Sequence, residues 1–231
     1  PYQRSIFHPV LALKLQKKEA EMTIHEIKKK IVQYTRLTQS RGYTVASEGN
    51  ISVRLPDGYV MITPTKIIKD FITEDDLVVV DMDGNHVDGT RKATTERFTH
   101  LAIYRKRHDI DCIVHAHPVY TVLSTVLGTN PFEQVFISEA AMFLKKVAYA
   151  AFAKPSTKEG ADAVRDVCGN SDVIVIDRHG SFTCGKDIET AFSLLEILEK
   201  YCKMYYLASM SGKPINFIDP SIVEELRNIP Y

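Results

Sequence analysis

The run Cys112-Ile113-Val114-His115-Ala116-His117-Pro118 joins three apolar residues to two histidines that stand two positions apart. The apolar residues predict a strand, and side chains alternate between the two faces of a strand. His115 and His117 are therefore expected on the same side of the strand end. Two neutral imidazoles on one side can bind a single metal ion. The alternative is a structural pair, with one histidine half buried and the other solvated.

Two further positions are candidates for the same site. Glu96 lies upstream in Thr94-Thr95-Glu96, and His179 follows the apolar run 173–177. Functional residues collect in loops at strand ends, and three imidazoles would provide most ligands of a zinc-type ion. Glu96 would complete the set and act as a general acid or base. Taken alone, Glu96 also fits the first turn of a helix, and His179 also fits a turn.

The other histidines are weaker candidates. His100 lies four residues after Glu96, on the same face of a predicted helix. We expect it to pack or hydrogen-bond behind the site rather than to bind the metal. The remaining histidines lie in charged or irregular surroundings and are expected to be solvated: His8, His25, His86 and His108.

Three short polar stretches suit a phosphate group. They are Gly49-Asn50-Ile51-Ser52 before a predicted strand, Thr63-Pro64-Thr65 after the next strand, and Thr94-Thr95 at a predicted helix start. Backbone N–H groups, hydroxyls and the positive end of a helix stabilise a phosphate dianion. Each stretch is common by itself, because such residues also cap helices and form turns. Together with a metal site, they predict a pocket for a small phosphorylated substrate.

Length and composition indicate an ordinary globular protein. The 231 residues are 45% hydrophobic, and 29 Lys and Arg balance 29 Asp and Glu. A formal charge of zero predicts neither a nucleic-acid nor a membrane partner. No apolar run reaches the roughly 18 residues of a membrane span. The four cysteines form no Cys-x-x-Cys pair, and no signal-peptide pattern is seen, so we expect reduced thiols and a cytoplasmic location.

Apolar periodicity predicts helices interleaved with strands. Helices are expected at 22–39, 94–107, 118–127, 158–168 and 188–208. Strands are expected at 51–55, 59–63, 77–80, 110–115, 135–137, 146–149 and 173–177. This alternation, with some strands joined as hairpins, predicts a single α/β domain with a mixed or antiparallel sheet covered by helices. The domain is placed at 23–208, between an N-terminal extension at 1–22 and a C-terminal tail at 209–231.

In their order along the chain, five stretches resemble the class II aldolase/adducin family: Gly49-Asn50-Ile51-Ser52, Thr63-Pro64-Thr65, Thr94-Thr95-Glu96, His115-Ala116-His117-Pro118 and His179-Gly180. The family's enzymes cleave or rearrange ketose phosphates with a divalent metal, usually zinc. The resemblance implies an α/β/α fold whose central, mostly antiparallel sheet has helices on both sides. It also implies a fourfold-symmetric homotetramer with active sites at subunit interfaces, where the C-terminal tail, including Tyr231, could pack.

The resemblance also implies roles for individual residues. One divalent ion per subunit, expected to be zinc, would be bound by His115, His117, His179 and Glu96, and Glu96 would be the catalytic acid/base. The phosphate would be held by Gly49, Asn50, Thr65, Lys66, Thr94 and Thr95. The chain is most similar to the family's aldolases for L-fuculose 1-phosphate. A ketose 1-phosphate of this kind would yield dihydroxyacetone phosphate and a short aldehyde through a metal-stabilised enediolate.

The sequence departs from the family pattern at three places. Lys66 stands where a glycine is usual, Thr94-Thr95 replaces a serine pair, and Phe136 falls near a tyrosine that the neighbouring subunit donates. Phenylalanine cannot donate a proton. A metal-dependent decarboxylase, dehydratase or epimerase acting on a related sugar phosphate therefore remains an alternative. Glu96 favours aldol cleavage over epimerisation, because the family's epimerases have aspartate at this position. A non-catalytic, adducin-like interaction module is a third alternative, and the complete histidine set argues against it.

Overall fold

A computed structural model describes residues 22–229, so most of the predicted N-terminal extension and Tyr231 lie outside the described residues. Eight strands form one sheet in the order β4-β3-β2-β1-β5-β8-β7-β6. All neighbouring strands are antiparallel except β6 and β7. The strands are β1 (Asn50–Arg54), β2 (Val60–Ile62), β3 (Val78–Val80), β4 (His86–Asp88), β5 (Cys112–Ala116), β6 (Val147–Ala150), β7 (Val173–Ile176) and β8 (Gly180–Gly185).

Helices cover both faces of this sheet, which confirms the predicted α/β/α arrangement. The helices are α1 (Ile24–Ser40), α2 (Arg97–Lys106), α3 (Val119–Val126), α4 (Lys158–Val167), α5 (Ile188–Met210) and α6 (Pro220–Arg227). Helices α2 and α4 pack on one face, and α1, α3 and α5 pack on the other. None of the helices within residues 22–229 has the length and apolar character that crossing a bilayer requires.

The central strand β5 shows how the sheet separates its two cores. Ile113 packs with Leu101 and Ile103 beneath α2, whereas Cys112 and Val114 pack on the opposite face with α1 and α5. All five residues of β5 are buried. Burial of a large aliphatic side chain contributes about 1.5–3 kcal/mol, so this strand is strongly held in register. The register in turn fixes the direction in which His115 projects.

Helix α1 begins as the sequence predicts. The Thr23 hydroxyl accepts from the Glu26 backbone N–H at 3.2 Å, and Glu26 Oε2 accepts from the Thr23 backbone N–H at 2.8 Å. This reciprocal capping box satisfies two N–H groups that lack partners within the helix. A cap of this kind contributes about 1 kcal/mol.

The predicted strand at 135–137 is wrong. Phe136 stacks on Tyr201 of α5 with ring centroids 4.4 Å apart, and Val135 accepts a backbone hydrogen bond from Ile218. The segment therefore packs on α5 and the C-terminal tail, and leads into a π-helical turn at Ala140–Leu144 instead of joining the sheet.

Other elements differ in extent or were not expected. Helix α2 begins at Arg97, three residues after the predicted start, so the polar residues at 94–96 lie in a turn. Strands β4 and β8 and helix α6 were not predicted. Strand β8 begins and ends with glycine and carries polar residues on its buried faces, so its sequence lacks a strand's apolar signal. Short 3-10 turns occupy Lys69–Phe71, Glu74–Asp76 and Cys168–Asn170.

Candidate metal centre

The three histidines and Glu96 come together at one edge of the sheet. His115 is the second-last residue of β5, and His117 directly follows that strand. His179 lies in the turn between β7 and β8. His115 projects toward the α2 face, where its ring stacks on Phe182 with centroids 4.2 Å apart. Glu96 stands at the N-cap position of α2, and its carboxylate lies on the same side without capping the helix. Residues separated by up to 83 positions thus share one site.

The four side chains are arranged as one group. Each offers one ligand atom, and these atoms all lie within 4.8 Å of one another. His115 Nε2 lies 2.9 Å from Glu96 Oε2 and 3.1 Å from His117 Nε2. His179 Nε2 lies 3.5 Å from Glu96 Oε1. The four residues can therefore hold a single metal ion.

The hydrogen bonds of His115 fit a metal ligand. Its Nδ1 lies 2.9 Å from the Ser181 carbonyl oxygen, which can only accept, so the ring proton is on Nδ1. Nε2 is then the ring nitrogen of His115 that can bind a metal, and it faces Nε2 of His117. Two nitrogens bound tetrahedrally to one zinc ion at about 2.0–2.1 Å would be about 3.3 Å apart. The observed 3.1 Å is close to that separation.

The charge states at neutral pH also suit a divalent cation. Burial, assisted by the nearby His115, lowers the pKa of His117 and of His179 to about 4, so both rings keep a free lone pair. Burial opposes the charge on Glu96, but the interaction with His115 outweighs it and holds the pKa of the carboxyl well below its usual range. The neutral rings of His117 and His179 and the ionised carboxylate of Glu96 are the forms that bind zinc.

Two glycines allow the backbone to close around the cluster. A Cβ on Gly180 would lie 2.4 Å from the Ala116 carbonyl oxygen and 2.7 Å from His117 Cδ2. A Cβ on Gly49 would lie 2.8 Å from the His115 carbonyl oxygen, and Gly49 also has a φ of +68°. Any larger residue at either position would displace a strand end that carries a histidine.

The loops predicted to hold phosphate lie side by side next to the cluster. The Thr65 N–H donates to the Lys92 carbonyl, and the Thr94 N–H donates to the Thr63 carbonyl, so 63–66 runs along 92–95. Thr94 is buried, and its hydroxyl accepts from the Glu96 N–H at 3.3 Å. Thr95 and Lys66 are exposed. The structure thus brings the predicted phosphate residues together beside Glu96.

Backbone strain is concentrated around this site. Five non-glycine residues in the described part of the chain have positive φ. Four of them lie within three residues of a predicted site residue or hydrogen-bond to one: Ala46, Lys66, Ser156 and Arg178. Lys66 has a φ of +57°, which is the left-handed conformation that favours glycine. The Ser156 hydroxyl lies 2.8 Å from that of Thr95. Such strain persists where the surrounding structure imposes a conformation that function requires.

Sequence reasoning missed several residues that support the site. Glu48 Oε2 lies 3.4 Å from His117 Nδ1 at the mouth of the cluster. Glu199 of α5 accepts from the backbone N–H groups of Tyr120 and Thr121 at 2.8 and 2.9 Å, which anchors the start of α3 directly after His117. A carboxylate at a helix N-terminus stabilises the helix. Glu199 is 78 residues from Thr121 along the chain, so no local sequence pattern predicts this contact.

His100 lies behind the site, as the sequence predicts. Its Nε2 lies 2.5 Å from Asn50 Oδ1, and it is fully buried. Asn50 Nδ2 in turn donates to Glu96 Oε2 at 3.1 Å. Both ends of the Asn50 side chain are therefore engaged within the protein.

Comparison with known proteins places the chain in a family. Residues 29–206 match the model of the class II aldolase and adducin N-terminal domain. An L-fuculose phosphate aldolase from Methanocaldococcus jannaschii is 38% identical over 183 residues, which cover 78% of this chain and 96% of that protein. A 3-oxo-tetronate 4-phosphate decarboxylase from Haemophilus influenzae is 30% identical over 87% of this chain and 96% of that protein.

The fold agrees with this placement. A solved structure of an L-fuculose 1-phosphate aldolase superposes with a TM-score of 0.80 and 27% sequence identity. The match covers 90% of this chain and 97% of that one. The similarity therefore extends over most of both chains.

Proposed function

This chain belongs to the class II aldolase and adducin family, and we propose that it is a metal-dependent aldolase that cleaves a ketose 1-phosphate, such as L-fuculose 1-phosphate, to dihydroxyacetone phosphate and a short aldehyde. The observation that carries the proposal is the convergence of three imidazoles and a carboxylate beside two polar loops. The 38% identity to an L-fuculose phosphate aldolase supports this choice of substrate class.

The metal would be held by His115, His117 and His179, with Glu96 as a fourth ligand that substrate can replace. Zinc is expected, because nitrogen-rich tetrahedral sets suit it. When bound, a divalent ion polarises the substrate carbonyl and stabilises the enediolate that remains after C3–C4 cleavage. The Ser181 carbonyl and the Glu48 carboxylate would orient the rings of His115 and His117 through their Nδ1 atoms, which leaves both Nε2 atoms for the metal.

As the C3–C4 bond breaks, Glu96 would take up the proton of the C4 hydroxyl, whose oxygen becomes the aldehyde oxygen, and would then give this proton to C3 of the enediolate. Its carboxylate is ionised at neutral pH, as a base must be, and it lies 2.9 Å from His115. Its position before the first turn of α2 places it between the metal cluster and the polar loops. A substrate bound by both would therefore present its reacting carbon to this carboxylate.

The phosphate would lie against the loops 49–50, 65–66 and 94–95. Thr94 and Thr95 offer hydroxyl groups at the start of α2, where the helix dipole favours an anion. Lys66 adds an exposed ammonium group in the loop that faces them. The Asn50 side chain would reach the phosphate only by giving up its bond to His100 or to Glu96.

We further propose that the protein acts as a homotetramer in the cytoplasm with active sites at subunit interfaces. Support comes from apolar side chains that are more than half exposed on α3 and α5: Val119, Val126, Leu127, Leu207 and Met210. Val119 follows directly after the metal-site loop. The C-terminal tail packs Val223 into its own chain but exposes Ile222, which an interface would cover. Sedimentation analysis would measure the assembly.

The aldolase proposal is tested by a coupled assay for dihydroxyacetone phosphate. The substrates are a panel of ketose 1-phosphates, and the protein is assayed both metal-replete and stripped with a chelator. The proposal predicts release that depends on the metal, with the preferred sugar identifying the substrate. Zinc-loaded protein that releases no dihydroxyacetone phosphate from any member of the panel would refute it.

A decarboxylase acting on a phosphorylated keto-acid is the second candidate. It is favoured by the 30% identity to a 3-oxo-tetronate 4-phosphate decarboxylase and by Phe136, which cannot act as a proton donor. Phe136 is half buried and stacked on Tyr201. Metal-dependent release of carbon dioxide without an aldehyde product would establish this function in place of the aldolase.

A further inference from the structure

A continuous row of buried hydrogen bonds runs from Glu96 away from the metal cluster into the core beneath α2. Asn50 Nδ2 lies 3.1 Å from Glu96 Oε2, and Asn50 Oδ1 lies 2.5 Å from His100 Nε2. His100 Nδ1 lies 2.7 Å from Ser52 Oγ, which lies 2.9 Å from the Tyr104 hydroxyl. None of the five residues is more than 9% exposed.

The direction of each bond follows from the carboxylate end of the row. A carboxylate can only accept, so Asn50 turns its NH2 group toward Glu96 and its carbonyl oxygen toward His100. That oxygen can only accept, so His100 carries its proton on Nε2 and a lone pair on Nδ1. The Ser52 hydroxyl then donates to His100, and its oxygen can accept from Tyr104. The chemistry of Glu96 thus fixes the tautomer of His100.

The row of hydrogen bonds forms because the spacing of side chains along one face of β1 is close to their spacing along one face of α2. Asn50 and Ser52 are two residues apart on one face of β1, a rise of about 6.6 Å. Glu96, His100 and Tyr104 are four residues apart along one face of α2, a rise of about 6 Å per step. Side chains from the two elements therefore meet in sequence, and each polar group finds its partner on the facing element.

The surroundings make these bonds strong and keep the ring neutral. Phe182 packs edge-on against His100 with centroids 5.3 Å apart and stacks on His115. Burial lowers the pKa of His100 to about 3. In such a low-dielectric environment each hydrogen bond gains strength, and an unpaired polar group is costly.

We propose that His100, Ser52 and Tyr104 are positioning residues that act through Asn50 to hold the Glu96 carboxylate in the orientation for proton transfer. This inference rests on the proposed function, because it takes Glu96 as the group that moves the proton. A displacement of about 1 Å at a reacting group can lower a rate about 10²-fold. The row prevents such a displacement while leaving the histidine cluster untouched.

The first test compares two substitutions at one position. His100→Leu removes the donor to Asn50 and is expected to lower kcat about 10²-fold, with KM changed less than about threefold. His100→Gln keeps an N–H toward Asn50 and is expected to recover about tenfold of that loss. Equal kcat values for the two variants, or a rise in KM as large as the fall in kcat, would overturn the proposal.

The second test uses a matched pair of serine substitutions. Ser52→Ala removes the donor to His100 and is expected to lower kcat about tenfold. Ser124→Ala removes another buried hydroxyl, which donates to the Thr121 carbonyl at 2.7 Å outside the row, and is expected to leave kcat unchanged. A fall in kcat that is the same for both variants would show a general loss of stability and contradict the assigned role.

The row can also be tested without turnover. Neutron diffraction from metal-free crystals should show deuterium on His100 Nε2 and an Asn50 NH2 group that faces Glu96. Deuterium on His100 Nδ1 alone, or the Asn50 oxygen facing Glu96, would overturn the proposal. If wild-type protein releases no dihydroxyacetone phosphate, the proposed function fails. The neutron result then still shows whether the hydrogen bonds of the row run in the proposed direction. If wild-type protein is active and His100→Leu retains its kcat, the positioning role of the row is refuted while the proposed function stands.

Discussion

The two ends of helix α2 carry buried polar groups that are satisfied in different ways. Beyond its C-terminal end, Arg107 directs all five N–H groups to acceptors: both oxygens of Asp109, one oxygen of Asp172, and the carbonyls of Cys168 and Ser171. At its N-terminal end, Glu96 faces three imidazoles. There, the Nε2 atoms of His115 and His117 face each other at 3.1 Å.

The difference separates a structural network from a binding site. The Arg107 network is complete, because every donor has an acceptor, and the carboxyl groups raise the pKa of the guanidinium further. The histidine cluster instead brings ring nitrogens and a carboxylate close enough together to hold one cation. The C-terminal end of α2 should therefore govern the free energy of unfolding, and the N-terminal end should govern metal binding and turnover.

The largest effect is expected at the N-terminal end, from Glu96→Gln. Amide in place of carboxylate removes the acid/base group but keeps the shape, so turnover should fall about 10²–10⁴-fold. The three histidines remain, so the metal content measured by atomic emission should stay near one per chain. Undiminished turnover would remove Glu96 from the mechanism, and loss of the metal would make it chiefly a ligand.

The next largest effect is expected at the C-terminal end, from Arg107→Met. The side chain is 9% exposed, and its removal leaves buried carbonyls without donors, so unfolding free energy should fall by about 3 kcal/mol. Denaturant unfolding of the metal-free protein measures this. The neighbouring Arg105→Met is the control, because Arg105 is 52% exposed and should change stability by less than about 0.5 kcal/mol. A parallel loss of zinc affinity in Arg107→Met would contradict the independence of the two ends.

Lys69 offers a third kind of buried polar group, a cation that has no acidic partner among residues 22–229. It is 1% exposed, and burial lowers its pKa to about 8 from the usual 10.5. Its charge therefore destabilises the fold at every pH below about 8, and this penalty disappears as pH rises through 10.5. Lys69→Met should raise unfolding free energy on the order of 2 kcal/mol at pH 7. A gain that persists unchanged at pH 11 would disprove this cause.

The smallest effect is expected from Lys66 in the phosphate loop. Lys66→Gly should relieve about 1 kcal/mol of strain at φ +57° and, by removing an exposed cation, raise KM up to about fivefold. Lys66→Ala removes the same charge without relieving the strain. The two variants should therefore share the higher KM and differ in melting temperature. An unchanged KM in both would exclude the ammonium group from phosphate binding.

The metal cluster could be predicted largely from the sequence, whereas its supports could not. Strand alternation predicts that His115 and His117 share a side. His179 follows an apolar run, and Glu96 stands at a predicted helix start beside two threonines. The Arg107 network depends on Asp172, 65 residues away, and no local pattern indicates that pairing. The sequence predicts that His100 lies behind the site, but the match between β1 and α2 appears only in three dimensions.

The errors in predicting the fold have a similar cause. Phe136 has strand propensity, but tertiary packing against Tyr201 overrides it. Strand β8 has weak propensity, yet its close approach to β5 requires Gly180, where a Cβ would lie 2.4 Å from the Ala116 carbonyl oxygen. Local propensity therefore fails where the backbone is shaped by the site and its supports.

Calorimetric titration of metal-free protein with zinc is the measurement that tests the central claim most directly. Binding of one ion per chain is predicted, with loss of affinity in His117→Ala and His179→Ala but not in Arg107→Met. Free zinc at 100 times its Kd should stabilise the fold by about 2.7 kcal/mol. Absence of binding, or binding that survives both histidine substitutions, would contradict the assignment of this cluster as a metal centre.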